Sequence, residues 1–475
     1  MDGAGERGST SAPAAPRPPA IARSESPTVR WPALGGEYAT RLRALLHQLD
    51  ETQWWPADTI VAMQLRQLGA LLEHAFEQVP ATRALLERAG WRRGRELDLD
   101  GWRTLPVLER AQLLARGPQL YARSVPPRFE PQGEISSSGS TGTPVTVRTT
   151  AIGGLLWDAL TMRDHFWQRR DFSAKMGVIR LLATPGHQVE PGPRPDWGAP
   201  ASTLYATGPS DLMELLTPIE AQARWLAQAN PAQLLTYPTN ALALAQHCLA
   251  TGIAVPALRE LRTMSEAMPE GLRDAAERAW GARVTDIYSS RELGYLALQC
   301  PDHPHYHVMS ESVFLEVLHD DGRPCGPGET GRVVVTPLHN FGSPLLRYAV
   351  GDVATVGAPC PCGRGLPVLT RILGRERNLQ VMADGSRHWP AIPSLEMRAA
   401  APLLQYQFVQ RTRFDVELHY VAERALTAGE QSAVVAIVRE FMGEALVVTL
   451  VPRDALARSA SGKWEEFRCE VPPGG

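Results

Sequence analysis

Between Trp54 and Trp91 apolar residues return at steps of three and four, through Leu65, Leu68, Leu72, Phe76 and Val79, and Pro80 ends the run. The spacing predicts helix with one buried stripe. Leu105-Pro106-Val107-Leu108 interrupts it, and a further short helix is expected over Arg110 to Leu114. Beyond that point the texture changes. A helix is predicted over Gly153 to Arg169 and a buried strand over Met176 to Leu182, followed by a Pro/Gly-rich loop, Pro185 to Pro200, of the length that often carries binding residues. Then come strands that exit into polar residues. Leu234-Leu235-Thr236 leads into Tyr237-Pro238-Thr239-Asn240 and a helix over Ala241 to Leu249. Leu261 to Met264 leads into Ser265-Glu266-Ala267 and a helix reaching Trp280, and Val284 to Ile287 leads into Tyr288-Ser289-Ser290-Arg291-Glu292. Strands alternating with helices predict an α/β sheet with its ligand at the carboxyl ends of the strands.

From Val313 the pattern is alternating β, over Val313 to Leu318 and Gly331 to Leu338, with glycines between and Leu345 to Asp352 closing the set. Past Gly374-Arg375 the chain starts again: a strand around Phe414 to Tyr420, a helix over Ala433 to Met442 and a strand over Leu446 to Val451. The fold expected is a large N-terminal α/β domain with a β subdomain, over residues 37–375, and a small mobile α+β domain over 376–475. Residues 1–36, rich in Pro, Ala, Ser and Arg and without an apolar core segment, are expected to be a disordered tail.

The charge balance, 48 basic against 51 acidic residues, gives no support to nucleic-acid or membrane-surface binding. An apolar content of 44% without a run of 18 apolar residues describes a globular, cytoplasmic protein. Six cysteines at uneven spacing in a chain this long do not make a disulfide scaffold.

Candidate chemistry begins at Ser136, Ser137, Ser138, Gly139, Ser140, Thr141, Gly142 and Thr143, before Pro144. The stretch has little to bury. Its hydroxyls, backbone N–H groups and glycines suit a loop that grips phosphate, and the same composition suits a flexible linker. It is not a Walker loop, since G-x-x-x-x-G-K-[ST] is absent.

That stretch, Tyr288-Ser289-Ser290-Arg291-Glu292, Arg347-Tyr348 with Gly351-Asp352, Gly374-Arg375 and Arg458-Ser459-Ala460-Ser461-Gly462-Lys463 occur in one order. Together they resemble the adenylate-forming superfamily of acyl-CoA synthetases, most closely its phenylacetate-CoA ligase branch, over about residues 50–470. The resemblance implies ATP-dependent activation of a carboxylic acid, by default aromatic or arylacetic, as acyl-AMP with release of pyrophosphate, then transfer to CoA. It implies that Ser136 to Thr143 hold phosphates, that Glu292 ligates Mg²⁺, and that Tyr288 lies against adenine with Ser265, Glu266 and Ala267 beside the base. Asp352 would accept from the ribose hydroxyls, helped by Arg375. Ser290 and Arg291 would border the nucleotide, and Tyr237, Pro238 and Ser289 the acid, whose pocket the helix from Gly153 would wall. Lys463 would stabilise charge developing between carboxylate and α-phosphate, and Arg377 would be the hinge about which the small domain rotates between half-reactions.

Within the same resemblance, Cys300-x6-His307 with Cys360-x-Cys362 supplies three sulfurs and an imidazole, a set suited to structural Zn²⁺. His303 and His305 are the rival nitrogen ligands. Thr143 stands where many relatives have lysine, Arg291 where many have threonine and Arg377 where aspartate is more usual. Two other readings stay open: an amide synthetase or transferase to a carrier protein, and a binding module without turnover.

Overall fold

A computed structural model describes residues 20–471, apart from 27, 30, 95, 137–143, 185–186, 376–377, 389, 457 and 459–462. The N-terminal helix Ala57–Gln78 buries Leu68, Leu71, Leu72 and Ala75, and Pro80 is the first residue of the next helix, Pro80–Arg88. Proline lacks the N–H needed to continue one helix and is preorganised to begin another. The buried stripe packs on Phe314, Leu338, Phe341 and Leu346.

The centre of the molecule is one 12-stranded sheet. Its parallel portion runs in the order Ser210–Glu214, Met176–Arg180, Gln233–Thr236, Glu260–Met264, Arg283–Ser290. The helices Ile219–Ala229, Pro238–Thr251 and Leu272–Trp280 contribute to the core on one face and Ala151–Trp167 to that on the other. The β region expected as a subdomain is joined edgewise to that sheet. Gly294–Gln299 and Tyr306–Val308 connect it, through Val368–Arg375, to Tyr348–Val356, Thr330–Pro337 and Val313–Leu318. Pairing the edges satisfies backbone groups that an open edge would leave to solvent.

Behind this antiparallel portion Arg347 is buried and sits at φ +47. Its guanidinium pairs with Glu316 at 3.0 and 3.1 Å and donates to the Arg103 carbonyl at 2.8 Å. Breaking a buried, hydrogen-bonded pair strands a charge, so Arg347→Ala should lose about 3–5 kcal/mol of stability. Urea unfolding monitored by circular dichroism checks it, and a loss under about 1 kcal/mol would contradict the role.

The C-terminal portion has its own four-stranded sheet, ordered Val447–Pro452, Asp415–Ala422, Leu403–Gln410, Phe467–Cys469, and its own core around Phe408, Leu418 and Val434. Asp415–Ala422 and Val447–Pro452 are parallel and joined through Ala428–Met442, the β-α-β unit legible in the sequence. A reciprocal cap between Thr427 and Glu430 starts that helix earlier than Ala433.

One expectation is corrected. Residues 20–36 are not free along their length: Ala22 bridges to Tyr205, the Arg23 N–H donates to the Leu204 carbonyl at 2.9 Å, and that of Glu25 to Leu34 at 2.8 Å. Backbone pairing of this kind needs no apolar pattern and leaves no compositional trace. Among the described residues no helix is long and apolar enough to cross a membrane.

Candidate active site

A cleft of about 2760 Å³ opens at the carboxyl ends of the parallel strands and is closed over by the C-terminal portion. Tyr288, at the end of Arg283–Ser290, is buried and donates its hydroxyl to Asp352 Oδ2 at 2.7 Å. Burial, then the Asp352 carboxylate, pushes the Tyr288 phenol well above its ordinary value, so it stays a donor. The other oxygen of Asp352 lies 3.1 Å from Arg375 Nε, and Arg375 also donates to the Val350 carbonyl at 2.7 Å. Gly351 supports this arrangement at φ +76, a conformation that favours glycine. Residues 64 and 87 positions apart thus form one polar unit on the cleft wall (Tyr288 to Asp352, Tyr288 to Arg375).

Glu292 is buried on the same wall. Lys463 reaches into the cleft from the C-terminal portion, among Arg375, Asp352, Glu292 and Glu266. Burial, then Arg375, pulls its ammonium below 10.5 while the three carboxylates oppose that shift. A lysine and carboxylates are therefore gathered over a nucleotide-sized space, suited to holding negative charge on one side and a metal cation on the other.

Ser265 turns the chain at φ +75, directly after the strand Glu260–Met264. The turn delivers Glu266 to a junction between the two portions of the molecule. Its Oε2 accepts from the Thr239 hydroxyl at 2.7 Å and backbone N–H at 3.2 Å. Its Oε1 accepts from Arg458 at 3.1 Å and from the Trp464 N–H at 2.6 Å, immediately after Lys463. The backbone of Ser265 to Ala267 was expected beside the base; the Glu266 carboxylate, for which the sequence suggested no partner, is a clasp. Arg458 and Trp464 had no assigned role in the sequence, because nothing local to them indicates a partner more than 190 residues away (192 for Arg458, 198 for Trp464).

Ser136 ends the strand Pro131–Ser136, lines the cleft and shares a hydrogen bond with Thr146 at 2.8 Å. Ser137, Ser138, Gly139, Ser140, Thr141, Gly142 and Thr143 lie outside the described residues, as does Arg377. Ser265, Ala267, Ser289, Ser290 and an exposed Arg291 line the cleft. Tyr237 and Thr239 do so too, while Pro238 between them is buried as the first residue of the helix Pro238–Thr251, a fixed-φ starting position. Trp157 of the helix Ala151–Trp167 and Met176, Val178, Leu235, Met264 and Tyr295 of the sheet also line the cleft. Trp197, from the long loop, also lines the cleft and is anchored by its indole N–H on the Ala174 carbonyl at 2.9 Å.

A second cluster gathers away from the cleft, where the antiparallel strands join the parallel ones. Donor atoms of Cys300, His305, His307 and Cys360 all lie within 4.8 Å of one another. Cys300 and Cys360 sulfurs are 3.9 Å apart, Cys362 Sγ is 3.4 Å from His307 Nε2, and His305 Nε2 is 2.9 Å from Cys360 Sγ. Tetrahedral zinc would hold two sulfurs about 3.8 Å apart and a sulfur and nitrogen about 3.5 Å apart, from bond lengths near 2.3 and 2.05 Å. The first two contacts fit; the His305 contact is a hydrogen-bond distance. So His305, passed over in favour of His307, belongs to the cluster as well. Cys248, Cys325 and Cys469 are free, and Cys248 is buried.

No protein-family model matches the chain. A phenylacetate-coenzyme A ligase of Thermus thermophilus is 24% identical over 446 residues, covering 87% of this chain and 97% of that protein. The phenylacetate-coenzyme A ligase of Escherichia coli is 23% identical over 347 residues, covering 70% and 75%. Among solved structures, a 2-hydroxyisobutyryl-CoA ligase in the postadenylation state, in complex with R3-HIB-AMP, aligns with a TM-score of 0.67 at 20% identity over 90% of this chain and 92% of that one. The mixed α/β architecture with its small C-terminal sheet is thus the fold of that ligase.

Proposed function

We infer that this chain, a relative of phenylacetate-CoA ligases with the fold of the adenylate-forming acyl-CoA synthetases, activates a carboxylic acid with ATP and passes the acyl group to CoA. The observation that carries the reading is the convergence of Tyr288, Asp352, Arg375, Glu292 and Lys463 on one cleft, from separate segments between residues 288 and 463.

Asp352 and Tyr288 form a polar edge for the ribose and base, with Arg375 fixing the orientation of the carboxylate. A carboxylate nucleophile and a triphosphate repel one another, so the step needs cations. Lys463 supplies one where charge develops on the carboxylate and α-phosphate oxygens. Glu292 would hold Mg²⁺, a hard ion suited to carboxylate and phosphate oxygens, which would supply the other. Pyrophosphate leaves, and the CoA thiol attacks the carbonyl of the mixed anhydride that remains, breaking its acyl–oxygen bond to give the thioester and release AMP. The two half-reactions call for different partners at one site. The separate core of the C-terminal portion and its junction with the larger portion beyond Arg375 support rotation between them. The use of ATP and CoA fits the cytoplasm.

The reading is tested by incubating the protein with Mg²⁺-ATP and a panel of aryl, arylacetic and short aliphatic acids, with and without CoA, and resolving products by mass spectrometry. Acyl-CoA formed only when CoA is present is the expected result. Acyl-AMP with no CoA-dependent product would replace CoA by an amine or carrier-protein acceptor.

Cys300, His307 and Cys360, with Cys362 completing a tetrahedral set, would hold structural zinc. Four protein ligands leave no open position, so its contribution is stability rather than chemistry. Cys360→Ser should abolish zinc retention and lower the melting temperature by several degrees, checked by elemental analysis and calorimetry. Less than about half an equivalent of zinc in wild-type protein purified without chelator would count against the site. Comparing Cys362→Ser with His305→Ala identifies the fourth ligand.

A further inference from the structure

Beside the apolar side chains Met176, Val178, Leu235 and Met264, the cleft is also lined by a buried cation. Arg262 is on the strand Glu260–Met264, and pairing places it level with Leu235 on one side and Thr285 on the other, with Val178 next beyond Leu235. It is only 7% exposed and lines the cleft. Its Nε pairs with Asp164 Oδ2 at 2.7 Å, and neither terminal nitrogen has a hydrogen-bond or ion-pair partner among the described residues. A guanidinium carries five N–H donors, so the terminal nitrogens still have donors to offer to the cleft.

Beyond that pair, the neighbouring acids are engaged with other groups. Asp164 is held by Arg170 at 2.6 Å, and Glu260 by Arg170 at 2.7 Å and Arg283 at 3.1 Å. Asp158 accepts from Tyr38 at 2.7 Å, and Asp286 from Thr263 at 2.6 Å and Tyr306 at 2.8 Å. His165, beside Arg262, is held neutral by burial and then by Arg262 and Arg170. Arg180, one level nearer the strand ends, adds a second guanidinium to the wall, its Nε buried without a partner. Arg262 and Arg180 therefore present guanidinium donors to the cleft, beside the carboxylates of Asp158 and Asp286.

We propose that the acid activated here carries a second carboxylate at its far end, received by Arg262. This rests on the ligase reading, and it names the substrate class: a dicarboxylic acid, aryl or aliphatic. Depth sets its length. Three residues of strand separate Arg262 from Ser265 at the reactive end, about 10 Å at 3.3 Å per residue. That span suits a para-carboxylated arylacetic acid or an aliphatic diacid of similar reach. The guanidinium offers two parallel N–H donors to the distal carboxylate, an arrangement specific for a planar anion.

The test measures kcat/KM of acid-dependent ATP–pyrophosphate exchange for 4-carboxyphenylacetate, its neutral isostere 4-carbamoylphenylacetate, the apolar isostere 4-isopropylphenylacetate, and octanedioate against nonanoate. Wild-type enzyme should prefer each diacid over its apolar counterpart by about 100-fold or more, because the apolar group leaves the buried donors unpaired. In Arg262→Gln the preference should shrink to a few-fold through loss on the diacid alone, and Arg262→Lys should restore part of it. Preference of the wild type for the apolar acids, or an equal loss on both in Arg262→Gln, overturns the inference while leaving the ligase reading intact. Should Arg262→Gln fail to fold, the wild-type ranking decides by itself. Exchange with no acid of any class overturns the ligase reading and this inference with it.

Discussion

Lys463→Ala should lower acyl-AMP formation by about two to three powers of ten, the usual loss when one preorganised donor to a developing oxyanion is removed. Binding of ATP should change little, because the polar unit of Tyr288, Asp352 and Arg375, proposed above for the ribose and base, does not include the lysine. Single-turnover quench experiments measure the first quantity and equilibrium binding of a non-hydrolysable ATP analogue the second. Unchanged adenylate formation would sink the assignment. A pH dependence follows from the site of the lysine. Burial, then Arg375, draws its ammonium below 10.5, and the role requires the charged form. Adenylate formation should therefore fall as pH rises through a value under 10.5. The alkaline limb should be present with slow and fast acids alike, and absent from the residual activity of Lys463→Ala.

Glu266→Ala should separate the two half-reactions. Oε1 of Glu266 receives Arg458 and the Trp464 N–H, so it holds Lys463 in the cleft without itself meeting the reacting atoms. It is a positioning residue. A hydrogen bond to a charged group in a buried setting contributes about 2 kcal/mol, so removing it should reduce adenylate formation roughly 30-fold. Thioester formation from supplied acyl-AMP and CoA should be unaffected or faster, since that step needs the lysine withdrawn. Arg458→Ala should act in the same direction, and Thr239→Val more weakly, because Thr239 stays on the larger portion whichever way the small one turns. Equal loss in both half-reactions would show that Glu266 supports the cleft as a whole.

The fold class was legible because it rests on local pattern. Apolar steps of three and four mark Ala57–Gln78, and strands that exit into Tyr237, Ser265 and Arg291 mark the edge of the sheet that lines the cleft. Boundaries shifted where a cap decided them, as at Thr427. The edgewise joining of the β region to the parallel sheet was not legible, since strand pairing is settled by partners far apart in the chain.

The site divides along the same line. The order of Tyr288, Glu292, Asp352, Arg375 and Lys463 along the chain, with the resemblance it carries, gave the chemistry to look for. Side-chain type and spacing survive in sequence. Which of His305 and His307 stands nearer a given sulfur, that Glu266 clasps Arg458 and Trp464, and that Arg262 is left with unmet donors beside a doubly engaged Asp164 are facts of distance between segments. Sequence by itself determined the elements and the α/β fold class. Only the tertiary structure decided which charges are satisfied and which wait for a ligand, because burial and pairing depend on what the rest of the chain brings alongside.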